Sequence, residues 1–361
     1  MVTELRSYYG VMEGDGAYNR HARLQAGGIA LALPFLEQAV RSITFTDGND
    51  PVVVADYGSS QGKNSLAPMR TAIGALRARV GPHRPISVVH VDQPANDFNT
   101  LFDVLHEDAD RYALDDPNVF PAAVGRSFYG SVLPPDHVHL AWSSYAVVWL
   151  SRAPMLIPGH FIFIRSSGEV RAAFDRQGAE DWKRFLALRA AELRPGGRLV
   201  VVLPGLGDDG SVGLEDLFDH ANAALREMVD EGAITAAECE RMVLASYART
   251  RSQLLAPFQV DGQLHGLTVE HCDLSLVPDA SWAEYEGDGN KQALATRQAR
   301  FFRTAFAPSL ACALTRAGEN GIGGAFADRL EDALKRRLAD RPAPLHSFVQ
   351  TMVLAKGVAR T

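Results

Sequence analysis

The run Val52-Val53-Val54-Ala55-Asp56-Tyr57, continued by Gly58-Ser59-Ser60-Gln61-Gly62-Lys63-Asn64-Ser65, constrains this chain more than any other stretch. Its unbroken apolar run reads as a β-strand covered on both faces, the pattern of a parallel sheet with helices on either side. Gly58 and Gly62 then permit a tight turn that backbone and ligand can approach closely, and a helix begins near Ser65. A strand, a glycine loop and a helix in this order make a nucleotide-type pocket. The loop is not a phosphate-cradling P-loop, because Gly62-Lys63-Asn64 lacks the Ser or Thr that should follow the lysine. Nor does it carry the third glycine that admits a pyrophosphate. A nucleoside without phosphates fits the spacing, and an ordinary βα turn stays open at this point.

The segment before this strand is polar and contains Gly10, Gly14 and Gly16, which suits an arm closing over a ligand; a helix follows from about 20 to 41, with Leu24, Leu31, Phe35 and Val40 on its apolar face. After a helix at 65–80, Ile86–Asp92 reads as a second parallel strand. The carboxylate of Asp92 at its end either accepts hydrogen bonds from ribose hydroxyls or caps the next segment. A helix is expected at 98–107, and a strand turning into a short helix over His137–Leu150, where Trp142, Tyr145 and Trp149 either pack in the core or line a pocket. A helix at 180–194 is stopped by Pro195-Gly196-Gly197 before the strand Arg198–Pro204. Residues 213–256 read as amphipathic helix interrupted at Gly232, inserted into the sheet pattern. Leu267–Leu274 reads as an edge strand, 291–317 and 324–340 as helices, and 345–355 as a last strand pairing antiparallel at the sheet edge. The fold expected is α/β, with a core of 1–210 and 260–361 and a helical cap made of 211–259 and part of 275–340.

With 361 residues, 47% of them hydrophobic and 22% charged, the chain has material for one large core. Lys+Arg 36 against Asp+Glu 43, scattered and giving a net charge of -7, argues against nucleic acid. Cys239, Cys272 and Cys312 match neither a disulfide framework nor a metal spacing. No leader pattern starts at Met1 and no apolar run reaches membrane-spanning length, so a reducing cytoplasm is the expected setting.

Five ordered elements carry a resemblance. They are Met12-Glu13-Gly14-Asp15-Gly16 with Tyr18 and Gln25; Ala55 to Asn64; Val91 to Asn99, an Asn-Asp-x-Pro-x-Asn-Asp-Phe-Asn-like run; Gly125 to Tyr129; and Ser143 to Ser151. Together they resemble the plant-type carboxyl methyltransferases acting on salicylate, benzoate, jasmonate and indole-3-acetate, with their xanthine N-methyltransferase relatives. The likeness is close over the first half of the chain and loose beyond it. It implies a Rossmann-like sheet with an added α-helical cap, S-adenosylmethionine as methyl donor, a small carboxylic acid as acceptor, and a homodimer. By position, Tyr18, Asp56, Gly58, Ser59, Gly62, Asn64, Asp92, Gln93, Ser127 and Phe128 would form the cofactor site, with Asp92 on the ribose and Phe128 near the adenine. Gln25 and Trp149 would donate hydrogen bonds to the substrate carboxylate, and Trp142, Tyr145 and Val148 would shape the acceptor cavity.

Because a carboxylate is already ionised at neutral pH, the resemblance implies no catalytic base, and His21, His90, His137, His139 and His160 are expected to be structural. Departures from the family pattern are Ala22, Ser59, Gln93 and Trp142, the last replacing a histidine. The metal-holding stretch of some relatives is not recognisable around Ser246 to Phe258, so no metal is expected. Methylation of a ring nitrogen or hydroxyl, or a non-catalytic binding relative, are the alternatives.

Overall fold

The computed structural model describes residues 10, 12–45, 48, 50–207, 209–315 and 321–358. The stretch at Met1 in which no leader pattern is read, and the last residues of the expected helix 291–317, lie outside the described residues. The apolar run forms β1 (Val52–Tyr57) with every residue buried, as a central parallel strand requires. Around it the chain runs α1 (Ala17–His21), α2 (Arg23–Arg41), then after β1 α3 (Lys63–Val80), β2 (Ile86–Asp92), α4 (Phe98–Glu107), β3 (Val119–Gly125) and β4 (Val138–Ser144). It continues through α5 (Gly168–Glu192), β5 (Leu193–Pro204), α6 (Glu215–Asp230), α7 (Ala236–Arg241), α8 (Arg251–Leu255), β6 (Leu267–Leu276), α9 (Ala280–Asp288), α10 (Lys291–Ala311), α11 (Ile322–Asp340) and β7 (Phe348–Lys356).

The strands order as β3-β2-β1-β4-β5-β7-β6, parallel from β3 to β5, with β7 antiparallel to both neighbours. The chain switches direction across the sheet between β1 and β4, and a crevice opens beyond the carboxyl ends of such strands. The last strand is therefore not at the edge, as its pattern led us to expect. Seven of its nine residues are buried, and β6 takes the outer position.

One face of the sheet packs α2 and α3 through Leu36, Met69, Leu76 and Trp142, and the other packs α5 through Phe185 and Leu186. A third cluster, with Phe218, Phe302 and Leu330, joins α6, α10 and α11 to the segments leaving β4. The helix expected from 180 begins at Gly168, and polar side chains such as Gln177, Asp181 and Arg189 are buried along it. No helix follows β4; residues after Ser144 form turns, and Trp149 bridges antiparallel to Ser246. Residues 242–250 are accordingly extended rather than helical. α9 was not anticipated, although Asp279 caps its amino end with bonds of 2.9 and 3.1 Å from Ser281 and Trp282. Among the described residues no helix is long and apolar enough to cross a membrane.

Candidate active site

The glycine loop leaves β1 with left-handed backbone at Gly58 (φ 89°), Ser60 (φ 49°) and Gly62 (φ 87°). A Cβ at Gly58 would lie 2.1 Å from the Ala146 Cβ, and one at Gly62 would lie 2.6 Å from Leu101 Cδ1. Both glycines thus serve close packing of the loop, Gly58 against the turn after β4 and Gly62 against α4, and of the two only Gly58 also faces the crevice. Asp56, expected at the cofactor, is instead buried beneath the loop, accepting from Ser65 Oγ at 2.5 Å and lying 3.0 Å from His90 Nδ1. His90 reaches Tyr112 with its other nitrogen at 2.8 Å, so this network ties β1, β2 and α3 together from below.

Asp92 does not cap the following helix; Asp97 does, accepting from Thr100 N at 3.0 Å. The Asp92 carboxylate instead takes the amides of Ser60 and Gln93, both at 2.7 Å, and faces the crevice. Burial pushes its pKa up to about 6, the two backbone bonds acting against that rise and the Asp56 charge adding to it. Phe128 forms the neighbouring wall, tilted against Tyr129 at 4.8 Å and edge-on to Phe185 at 6.0 Å. Its carbonyl is held by the buried guanidinium of Arg189 at 2.7 Å, and that guanidinium lies 4.3 Å over the Tyr57 ring and pairs with Glu192 at 2.8 Å. Ser127 is exposed, with Oγ accepting from Tyr129 N, and does not line the crevice.

The amino-terminal arm closes the crevice from above. Asn19 donates to the Gln61 carbonyl at 3.1 Å, Gln61 donates to the Glu13 carbonyl at 2.5 Å, and Arg303 of α10 holds the Glu13 carboxylate at 2.8 Å. Tyr18 lies in the wall beside Asn64, its hydroxyl pKa raised by burial, with Asn64 opposing and Asp92 adding.

Beyond the crevice the cavity runs under the cap. Gln25, Tyr145, Val148 and Trp149 line the same cavity as Asp92 and Phe128, and Ile164, Leu214, Phe218, Phe301 and Phe306 add apolar wall to it. Tyr145 holds a left-handed backbone (φ 55°), which turns its ring under α2 so closely that a Cβ on Gly28 would be 1.9 Å from its hydroxyl. The Trp149 indole packs on Gly10 and on Phe306, ring centroids 6.2 Å apart, while no described residue accepts from its N–H. Trp142 is the correction to the expected acceptor wall: it is fully buried with Leu140 and Val200 on the α2/α3 face of the sheet, away from the cavity. Strand alternation places it there, on the same face as Leu140.

Buried polar atoms without a partner include Gln25 Oε1, Ser60 Oγ and Tyr145 Oη in the cavity wall, and Ser59 Oγ and Asn64 Nδ2 on the glycine loop and the start of α3, outside that wall. Such atoms are costly unless something completes their hydrogen bonds. Together with the Asp92 carboxylate and the flat Phe128 wall, they fit a ligand with ribose hydroxyls, a planar base and a polar amino-acid tail. Among the described charged residues, only Asp92 lines the cavity. The five histidines of the sequence reading stay out of it; His139, for example, accepts from Val53 N at 3.0 Å inside the sheet. Residues that sequence reasoning missed include Phe301 and Phe306, whose only signal was helical periodicity.

Residues 8–353 match the family described as SAM dependent carboxyl methyltransferase. The chain is 33% identical over 245 residues to methyltransferase LUC1 of Fusarium sp, covering 66% of this chain and 64% of that one, so the match spans less than two thirds of that relative. It is 27% identical over 288 residues to the salicylate carboxymethyltransferase of Clarkia breweri, covering 76% of this chain and 78% of that one. Among solved structures, loganic acid methyltransferase with SAH superposes with a TM-score of 0.76 at 22% identity, covering 96% of this chain and 99% of that chain, a likeness of fold.

Proposed function

Since the chain belongs to the SAM dependent carboxyl methyltransferase family, we propose that it transfers the methyl group of S-adenosylmethionine to the carboxylate of a small aromatic or otherwise apolar acid. The observation that carries this reading is that Gln25, Tyr145 and Trp149 line one cavity together with Asp92, Phe128 and an apolar wall of Leu214, Phe218, Phe301 and Phe306. Asp92 would accept from the ribose hydroxyls, Phe128 would pack against the adenine, and Ser59, Ser60 and Asn64 would complete their hydrogen bonds with the amino-acid end. S-adenosylmethionine, when bound, supplies a sulfonium-activated methyl group.

The protein's part is alignment and exclusion of water. Gln25 and the Trp149 indole donate to the acid's oxygens, compensating the hydration the carboxylate loses, and leave one oxygen facing the methyl carbon. The arm at 12–18 and the cap helices shut out solvent that would compete. No base is needed to ionise a carboxylic acid at neutral pH. A phenol or ring nitrogen would need one, and the acceptor end of the cavity offers neither histidine nor carboxylate among the described residues.

By the same family reading the helical portion, 211–259 with part of 275–340, is the cap over the acceptor site, and the protein works as a cytoplasmic homodimer; sedimentation at a dimer mass tests the last point. For the reaction itself, methyl-labelled S-adenosylmethionine incubated with benzoate, salicylate, indole-acetate or fatty acids should give a base-labile labelled ester. Tight NAD binding with no binding of S-adenosylmethionine or S-adenosylhomocysteine would overturn the assignment.

A further inference from the structure

An acid approaching this protein meets a net charge of -7, and no cationic side chain among the described residues lines the cavity that is to receive it. Leu24 and Phe301 form a wall common to that cavity and to a neighbouring groove. The groove is lined by Arg20, His21, Arg23, Arg297, Arg300 and Asp279. Its charges are unequally compensated. Arg23 and Arg297 share Glu284, at 2.7 and 3.2 Å. The Asp279 carboxylate is engaged by the amides of Ser281, Trp282 and Leu345.

Arg20 donates only to a neutral acceptor, the Asp15 carbonyl at 3.0 Å. Arg300 stands 3.4 Å from Glu331, a carboxylate that also binds Arg303 at 2.9 Å and lies 3.7 Å from Lys335. Arg297 keeps a buried Nε without a partner. His21, between these groups, resists protonation, first through burial and then through Arg300 and Arg20, with Glu331 and Glu13 opposing. With Arg303 and Lys335 holding Glu13, Asp328 and Asp332 of their own, setting Asp279, Glu284 and Glu331 against the four groove arginines leaves a net positive charge behind the acceptor wall.

We propose that this groove is an anion-docking vestibule: it takes the ionised carboxylate of the acceptor acid before the acid passes Leu24 and Phe301 into the cavity. The inference rests on the acid-accepting reading above. A local field of this sign raises encounter rates by roughly 10- to 1,000-fold in strongly steered systems. It fades once salt shortens the screening length, about 10 Å at 0.1 M, below the approach distance.

The test is the association rate of 4-(trifluoromethyl)benzoate with the full-length protein saturated with S-adenosylhomocysteine, followed by fluorine exchange NMR at about 20 mM and about 300 mM ionic strength. The parent protein should bind faster at low salt. Arg20→Gln/Arg300→Gln should lower the low-salt association rate about fivefold and flatten its salt dependence, while Arg20→Lys/Arg300→Lys keeps most of the rate. Circular dichroism and S-adenosylhomocysteine affinity check that the variants are folded. A parent rate independent of salt, a measurement that requires no variant, or equal low-salt rates for parent and Gln variant would overturn the vestibule. Failure of the parent to form an ester with any acid would count against the reaction instead, and leaves this rate test standing.

Discussion

Replacing Trp149 by Phe removes the indole N–H together with part of the ring, and keeps the Cγ end that packs on Gly10. The backbone bonds of residue 149, from Tyr129 Oη at 2.6 Å and to the Ala146 carbonyl at 3.0 Å, do not involve the side chain. A phenyl ring keeps the packing against Gly10 and Phe306. Because no described residue accepts from the indole in the free protein, its loss leaves no orphaned protein acceptor, and the whole effect should fall on the bound acid. A hydrogen bond to a charged group contributes about 1.5–3 kcal/mol. At about 1.4 kcal/mol per tenfold, kcat/KM for benzoate should drop about 10- to 100-fold. Labelled-ester formation measures that ratio, and calorimetry with S-adenosylhomocysteine should give nearly the parent affinity, since the proposed cofactor site uses Asp92, Phe128 and the glycine loop instead. Unchanged kcat/KM would refute the donor role. A parallel loss of cofactor affinity would show that Trp149 acts through the fold.

The remaining predictions concern the cofactor side. The Asp92 pKa, raised to about 6, means that this proposed ribose acceptor is protonated as pH falls through that value. S-adenosylhomocysteine affinity should weaken below about pH 6 and Asp92→Asn should flatten the profile; a parent affinity constant from pH 7.5 to 5 would contradict this. The sign for folding is opposite: the raised pKa makes the ionised residue a cost above about pH 6, relieved as pH falls toward the unfolded value. Gly58→Ala forces a Cβ to within 2.1 Å of the Ala146 Cβ at a left-handed φ of 89°, so it should destabilise by about 1–3 kcal/mol in urea melts. Adding Ala146→Gly should recover part of the loss, and no recovery would mean that backbone strain alone sets it. Chelator should leave ester formation intact, and activity lost to chelator and restored by magnesium would show a metal requirement.

Much of the sheet was legible because its strands are unmixed apolar runs: β1 and β2 have the expected bounds. Pairing order was not, since nothing local distinguishes an edge strand from β7, whose burial depends on β6 returning beside it. Residues 168–179 hid the start of α5 because polar side chains there turn inward, Gln177 to hold Ser151 and Arg152. The segment 242–250 misled as helix for a related reason. Its residues pair with Trp149 and Gly205, and Arg249 is buried donating to the carbonyls of Val147 and Gly178. At the site, Asp92, Phe128, Gln25, Tyr145 and Trp149 follow from motif order and meet as one cavity. Asp56, Gly62 and Trp142 share those motifs but support the loop and core from beneath, a division that only side-chain direction reveals.

The most direct measurement is a crystal structure of the protein with S-adenosylhomocysteine and an acid it methylates. The account predicts the ribose on Asp92, the adenine against Phe128, and the carboxylate within hydrogen-bond distance of Gln25 and Trp149 with one oxygen facing the sulfur. Adenosine bound outside the β1 crevice, or a carboxylate turned away from those two donors, would contradict it.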